Sequence, residues 1–242
     1  MEDVLDLHTH TVMSGHAYST LKEMAQAAAR KGLRLLGVTE HAPAMPGTCH
    51  EMYFRNFKAV GRTYYGVELL LGAELNIMDH SGAVDLPERT LRRMDFAIAS
   101  LHDQCLPAGS AAENTAAMTG AMENPYVNVI GHPDNGKYPV DYDAVVRAAA
   151  RCAVILEVNN SSLYPNSHRP NARENGTVML RLCREYEVPV VVSSDAHFEA
   201  QVGEHALAFE LLRQLDFPEA LVLNTSVEKL RAALARKAAK RK

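Results

Sequence analysis

The sequence predicts an α/β barrel of parallel strands, and three observations lead there. Short apolar runs alternate with helix-patterned segments seven times along the 242 residues. Runs such as Val190-Val191-Val192 are continuously apolar, the pattern of strands buried on both faces. Each run also ends in polar residues of the kind that build sites, and in α/β folds sites form outside the carboxyl ends of the strands. In an open sheet the first and last of those ends could not meet at one point. In a closed barrel they all ring one mouth.

The first strand is Val4–Leu7, running into His8 and His10. A loop with Ser14, Gly15 and His16 follows, and Ser19 or Thr20 caps a helix over Leu21–Lys31 that Gly32 ends. The second strand is Arg34–Thr39. Pro43, Pro46 and Gly47 make the next stretch a loop, and a weaker helix is expected over Glu51–Tyr65. The third strand is Val67–Leu71, followed by Gly72-Ala73-Glu74. A helix near Pro87–Arg93 precedes the fourth strand, Asp95–Leu101, and an Ala/Met-rich helix spans Ala111–Glu123. The fifth strand is Val127–Ile130, followed by a helix over Asp141–Arg151. The sixth is Ala153–Val158, followed by a helix over Ala172–Tyr186. The seventh is Val188–Ser193, and helices over His205–Gln214 and Val227–Lys237 complete the chain. No repeat or low-complexity linker divides the sequence, so a single domain over residues 1–242 is expected.

Composition sets bounds on function. An apolar fraction of 47% supplies a sizeable core, and a net charge of −4 with a pI near 6.3 gives no electrostatic drive towards nucleic acid or acidic membranes. No apolar run approaches the roughly 20 residues that cross a bilayer. Met1-Glu2-Asp3 has no basic or apolar leader character. Cys49, Cys105, Cys152 and Cys183 are scattered without a C-x-x-C pair, which favours reduced thiols in a cytoplasmic protein over disulfides or a thiolate metal site.

The strand ends carry the chemistry. His8 and His10, two residues apart on an extended segment, point the same way and can share one ion. Later ends add His41, Glu74, His102 and His132, then Asn159-Asn160, then Asp195 and His197, with His16 in the first loop. Seven histidines and two carboxylates exceed the three or four ligands of one catalytic or structural zinc. They fit two or three ions, and imidazole with carboxylate suits Zn, Mn or Fe. A lone histidine at a strand end is more often a satisfied polar residue, but that reading does not extend to a whole ring of them. His50, His80, His168 and His205 lie off the pattern and are expected at the surface.

These segments together resemble the polymerase and histidinol phosphatase (PHP) superfamily, most closely its YcdX-type phosphatase branch. The resemblance rests on Asp6-Leu7-His8-Thr9-His10 with His16, Thr39-Glu40-His41, Gly72-Ala73-Glu74 and Leu101-His102. It continues through Gly131-His132-Pro133, Glu157-Val158-Asn159-Asn160-Ser161-Ser162 and Ser194-Asp195-Ala196-His197. It implies a distorted (β/α)7 barrel with a trinuclear metal centre. One ion would be held by His8, His10, Glu74 and Asp195, a second by Glu74 as a bridge with His102 and His132, and a third by His16, His41 and His197. Glu74, Asp195 and His197 would also serve catalysis. Glu40 stands where many members of the superfamily have Asp.

The expected activity is hydrolysis of small phosphate monoesters by a hydroxide activated between metal ions, with three divalent ions per chain, Zn before Mn or Fe. Arg169, Arg173 and Lys137 lie in loops expected on the site side and could pair with phosphate or a substrate carboxylate; solvated surface bases are the alternative. A metal-dependent amidohydrolase is a rival reading, but such enzymes commonly place a carboxylated lysine at the fourth strand end, where this chain has His102. A metal-binding regulatory module without turnover is the other. The basic end, Arg236 to Lys242, is expected to be a solvated helix tail.

Overall fold

The computed structural model describes residues 1–239. In chain order the strands are β1 (Leu5–Asp6), β2 (Leu35–His41), β3 (Thr63–Tyr64), β4 (Val67–Asn76), β5 (Phe96–Ser100), β6 (Val129–Ile130), β7 (Ile155–Asn159) and β8 (Val190–Ser193). All but β3 pair in parallel, in the order β1-β2-β4-β5-β6-β7-β8. The main helices are α1 (Leu21–Arg30), α2 (Glu51–Arg55), α3 (Glu88–Leu91), α4 (Ala111–Glu123), α5 (Tyr142–Cys152), α6 (Ala172–Glu185), α7 (Ala206–Gln214) and α8 (Val227–Ala239). Thr20, not Ser19, caps α1, in a capping box with Glu23, and Ser110 with Glu113 caps α4 in the same way.

The sheet curls until β8 nearly meets β1. At the carboxyl end Thr9 bridges Ala196, and His10 N donates to Ala196 O at 2.8 Å. At the other end no strand ladder forms, and the Asn224 side chain stands in for one. Its Nδ2 donates to Leu5 O (3.0 Å) and Val192 O (2.9 Å), and its Oδ1 accepts from Val192 N (2.7 Å). The barrel expected from the strand ends is therefore present, closed by a side chain where the backbone leaves a gap.

Strand alternation divides the barrel interior into an apolar base and a polar top. On β4 the sequence Leu70, Gly72, Glu74, Asn76 shares one face, as do Phe96, Ile98, Ser100 on β5 and Ile155, Glu157, Asn159 on β7. Their lower members join Leu35, Val129 and Val191 in one buried cluster, and α8 packs Val227, Leu230 and Ala233 into that same cluster. The last helix thus plugs the bottom of the barrel. The opposite strand faces pack against the surrounding helices in a second, larger cluster.

Three differences from expectation have identifiable physical causes. Glu51–Tyr65 is not one helix: α2 stops at Arg55, a short 3-10 turn covers Phe57–Ala59, and Thr63–Tyr64 turns back onto β4. Tyr65 and Gly66 both have positive φ (53° and 80°), the backbone of a tight two-residue hairpin. β4 runs to Asn76 because Gly72 does not end it. A Cβ there would lie 2.6 Å from Phe96 O, so glycine lets β5 approach.

The third difference concerns charged groups expected in solvent. His205 is buried, its Nδ1 2.8 Å from Asp3 Oδ2 and its Nε2 3.5 Å from Asp6 Oδ2. Pairing with two carboxylates compensates for its burial. Lys237, expected on a solvated tail, is buried too, and its ammonium donates to Met122 O at 2.7 Å. Residues 240–242 of that tail lie outside the described residues. His80 is half-buried, whereas His50 and His168 are exposed. The four cysteines are unpaired. Among the described residues no helix is long and apolar enough to cross a membrane.

Candidate metal centre

Glu74, near the end of the long central strand β4, is the hub of the barrel mouth. Its Oε2 lies 2.7 Å from His41 Nδ1, 3.4 Å from His8 Nε2 and 3.6 Å from His10 Nε2. Its Oε1 lies 3.0 Å from His132 Nε2 and 3.2 Å from His102 Nε2. One carboxylate therefore faces two groups of imidazoles, one with each oxygen. Asp195, just beyond β8, presents Oδ1 to His10 Nε2 at 3.3 Å and to His8 Nε2 at 3.7 Å. His16 and His197 complete the ring at its outer edge, with their Nε2 atoms 3.2 Å apart. The structure brings all nine strand-end and loop residues together.

A second layer of hydrogen bonds sets which nitrogen each imidazole turns inward. His8 Nδ1 donates to Glu157 Oε1 at 2.8 Å. His10 Nδ1 donates to Ser14 Oγ at 3.1 Å, because that hydroxyl gives its own proton to Glu40 Oε2 (2.7 Å) and also accepts His41 N–H (3.1 Å). His102 Nδ1 donates to Asn76 Oδ1 at 2.8 Å. That amide is oriented by its NH2, which donates to Asp85 Oδ2 (2.8 Å) and Ala42 O (3.1 Å). His197 Nδ1 donates to Asp195 O at 3.0 Å. With Nδ1 so engaged, these four rings turn Nε2 towards the centre, the arrangement that tunes metal-binding histidines. His41 is turned the other way, with Nδ1 towards Glu74.

The inward atoms are short of partners. His8 Nε2, His10 Nε2, His41 Nδ1 and Glu74 Oε2 are buried without a hydrogen bond. Buried polar atoms left unpaired are costly, and several converging on one point mark a place for a cation. Three sets of donors fall within 4.8 Å of one another: His8, His10 and Glu74; His41, Glu74 and His102; and His10, His41 and His197. Neutral imidazole and carboxylate, with no thiolate, fit a borderline divalent ion.

The electrostatics divide the ring: burial lowers the His8 pKa, but Glu157, Glu74 and Asp195 outweigh it and raise it well above its ordinary value, so a bound cation would displace a proton from His8. Burial pushes His10 well below its ordinary pKa, and His41 and His197 push it further. Burial and the nearby Arg169 push His132 down to about 4. Both are thus neutral donors at physiological pH. Burial opposes ionisation of Glu74, but His102, His8 and His41 outweigh it and hold the carboxyl well below its usual range. Asp195 is likewise held well down against burial, by His8 and Arg169. Asp195 (φ 56°) and His132 (φ 31°) both sit in the left-handed region, so the fold holds two site residues in strained backbone. Gly131 gives His132 its room: a Cβ there would meet Ser100 Oγ at 2.3 Å.

The three basic residues singled out from sequence part company. Arg169 is buried at the mouth. Its Nη2 donates to Asp195 Oδ2 at 2.8 Å, and its Nη1 to Asn159 Oδ1 (3.1 Å) and Ser162 Oγ (3.3 Å). Lys137 is exposed, pairs with Asp103 at 2.7 Å and lines a recess beside the mouth. Arg173 does not reach the site. It lies in the first turn of α6 and points to α7, with Nη1 3.1 Å from Gln214 Oε1. The sequence reading missed Glu157, Ser14, Asn76 and Asp85 as supports. A signal existed for two of them: Glu157 stands two residues before Asn159, and Asn76 two after Glu74, so each shares an inward strand face with a recognised site residue.

Comparison with known proteins agrees with the geometry. The PHP domain family matches residues 6–163, and the PHP-associated family matches residues 175–237. The β7–β8 pairing joins the two matched stretches in one sheet. A probable phosphatase of Caldanaerobacter subterraneus subsp. tengcongensis is 46% identical over 97% of this chain and 92% of its own. One from Clostridium novyi is 44% identical over 95% of this chain and 93% of its own. Among solved structures, histidinol phosphate phosphatase from Lactococcus lactis subsp. lactis, complexed with zinc, L-histidinol and phosphate, superposes with a TM-score of 0.61. At 17% identity, over 90% of this chain and 95% of that one, it shows a shared fold.

Proposed function

As the chain belongs to the PHP domain family, we propose that it is a metal-dependent phosphatase, a single barrel domain that hydrolyses small phosphate monoesters at a trinuclear centre. The observation that carries this reading is the set of buried, partnerless donor atoms converging on Glu74. The relatives named above are probable phosphatases, which supports the same reaction class.

His8, His10, Glu74 and Asp195 would hold one ion, Glu74 with His102 and His132 a second, and His16, His41 and His197 a third. His41 also lies close enough to Glu74 to share the second ion. When bound, divalent ions supply Lewis acidity that lowers the pKa of water and neutralises phosphoryl charge. The chain's own part is positional. Glu157, Ser14 and Asn76 keep protons on the outward nitrogens of His8, His10 and His102. Arg169 fixes one oxygen of Asp195, so that the other faces the centre. Above lies a cleft of about 450 Å³, large enough for a small phosphorylated molecule.

The test is protein purified without chelator, analysed for metal by mass spectrometry and assayed for phosphate release with Zn or Mn. Close to three equivalents of metal and turnover of simple monoesters are expected. Protein that takes up metal but hydrolyses no ester in a broad panel would sink the reading.

A further inference from the structure

The cleft above the centre is lined by Met45 and Pro46 as well as by Gln104, His168 and Arg169. A side recess of about 240 Å³ shares Gln104, His168 and Arg169 with it and reaches Lys137, Asp103 and Asn135. Among the described residues lining the two spaces, the carboxylates are Asp195 and Asp103. Asp195 is committed: Oδ2 accepts from Arg169 and Asn159, and Oδ1 faces His8 and His10. Asp103 is matched by Lys137 at 2.7 Å in a pair whose side chains are 48% and 38% exposed. Such an exposed pair adds little stability, so its lysine is free to exchange partners.

The lining of the recess carries two cations, Lys137 and Arg169, against one carboxylate, Asp103, so its charge balance favours a second anion. Partial burial lowers the pKa of the His168 imidazole, and Arg169 and Lys137 lower it further against the opposing pull of Asp195 and Asp103. Gln104 adds neutral hydrogen-bonding capacity along the way.

Resting on the phosphatase reading above, we propose that this recess is a leaving-group subsite. It selects phosphate monoesters whose leaving group carries a second anion, a carboxylate or another phosphate, with Lys137 as the recognising residue. Amino-alcohol phosphates are disfavoured there, because their ammonium meets two cations, Lys137 and Arg169, against the one carboxylate of Asp103.

The test is a charge series on metal-loaded protein: 2-phosphoglycolate, propane-1,3-diol bisphosphate, 2-hydroxyethyl phosphate and 2-aminoethyl phosphate, with 4-nitrophenyl phosphate as a generic ester. The expected kcat/KM is about tenfold higher for the anionic pair than for the hydroxyethyl ester, the size of one charge-assisted hydrogen bond. It is lowest for the aminoethyl ester. A larger gain for phosphoglycolate or for the bisphosphate identifies which anion the recess takes. Lys137→Ala should bring the anionic substrates down to the hydroxyethyl level, and Lys137→Arg should restore most of the gap. Turnover with no charge preference, or a preference unchanged in Lys137→Ala, overturns the subsite. Absence of phosphate release from every ester, the nitrophenyl one included, overturns the phosphatase reading and the subsite with it.

Discussion

Glu157 Oε1 lies 2.8 Å from His8 Nδ1, and both side chains are fully buried at the barrel centre. The other oxygen, Oε2, accepts His132 N–H at 2.7 Å and Asn159 Nδ2 at 3.0 Å. Burial disfavours ionised Glu157, but His8 outweighs it and holds the carboxyl below its ordinary pKa. A single carboxylate thus supports two strand-end histidines at once.

Glu157→Gln keeps the shape but removes the negative charge behind His8. Loss of such an outer partner typically weakens metal binding about 10- to 100-fold. Competition against a zinc chelator should show that drop for the tightest ion while the far-ultraviolet circular dichroism stays the same. Equal zinc retention in variant and parent would mean that Glu157 only fills space.

Arg169 and Asp195 form a buried ion pair at 2.8 Å. Removing one partner of such a pair costs about 3–5 kcal/mol, because the other charge is left behind. Arg169→Ala should therefore destabilise the metal-free protein by that order, measured by urea unfolding in chelator. The depressed pKa of Asp195 contributes stability that is present above its unfolded pKa and lost as pH falls. With Arg169 gone the Asp195 pKa rises, so acid unfolding should begin at higher pH than in the parent. Arg169→Lys should recover only part of the loss, since a point charge cannot reach Asp195, Asn159 and Ser162 together.

His205 supplies a second pH dependence, of opposite sign. Burial pushes its pKa down, but Asp6 and Asp3 outweigh that and raise it to about 9. A raised histidine stabilises the fold fully below its unfolded pKa near 6.5, and the stabilisation is lost as pH climbs through 9. Between those values unfolding stability should fall by roughly 1.4 kcal/mol per pH unit from this group. Denaturant titrations across pH 6 to 9.5 check the slope, and His205→Asn should flatten it.

Leu230 of α8 is fully buried in the cluster at the base of the barrel. Leu230→Ala should cost about 2–5 kcal/mol, the range for emptying a packed leucine site. Metal content should stay at the parent level in the folded protein, since the plug and the centre occupy opposite ends of the strands. A matching loss of metal would show that the base transmits strain to the mouth.

The parallel pairing of the seven barrel strands and the gathering of His8, His10, His16, His41, Glu74, His102, His132, Asp195 and His197 at their carboxyl ends were legible from the chain itself; the antiparallel β3 was not. Each depends on local pattern: continuous apolar runs, the alternation of side chains along a strand, and polar residues at carboxyl ends. What only tertiary structure decided are the pairings between segments far apart in sequence. Nothing local tells that Asn224 would close the gap between β1 and β8, or that His205 would meet Asp3. Nor does it tell that Arg173 would turn to α7 while Arg169, four residues earlier, reached Asp195. Periodicity states which face a side chain takes; the partner waiting there is set by how the helices dock on the sheet, and for buried charge that partner decides whether burial is tolerable at all.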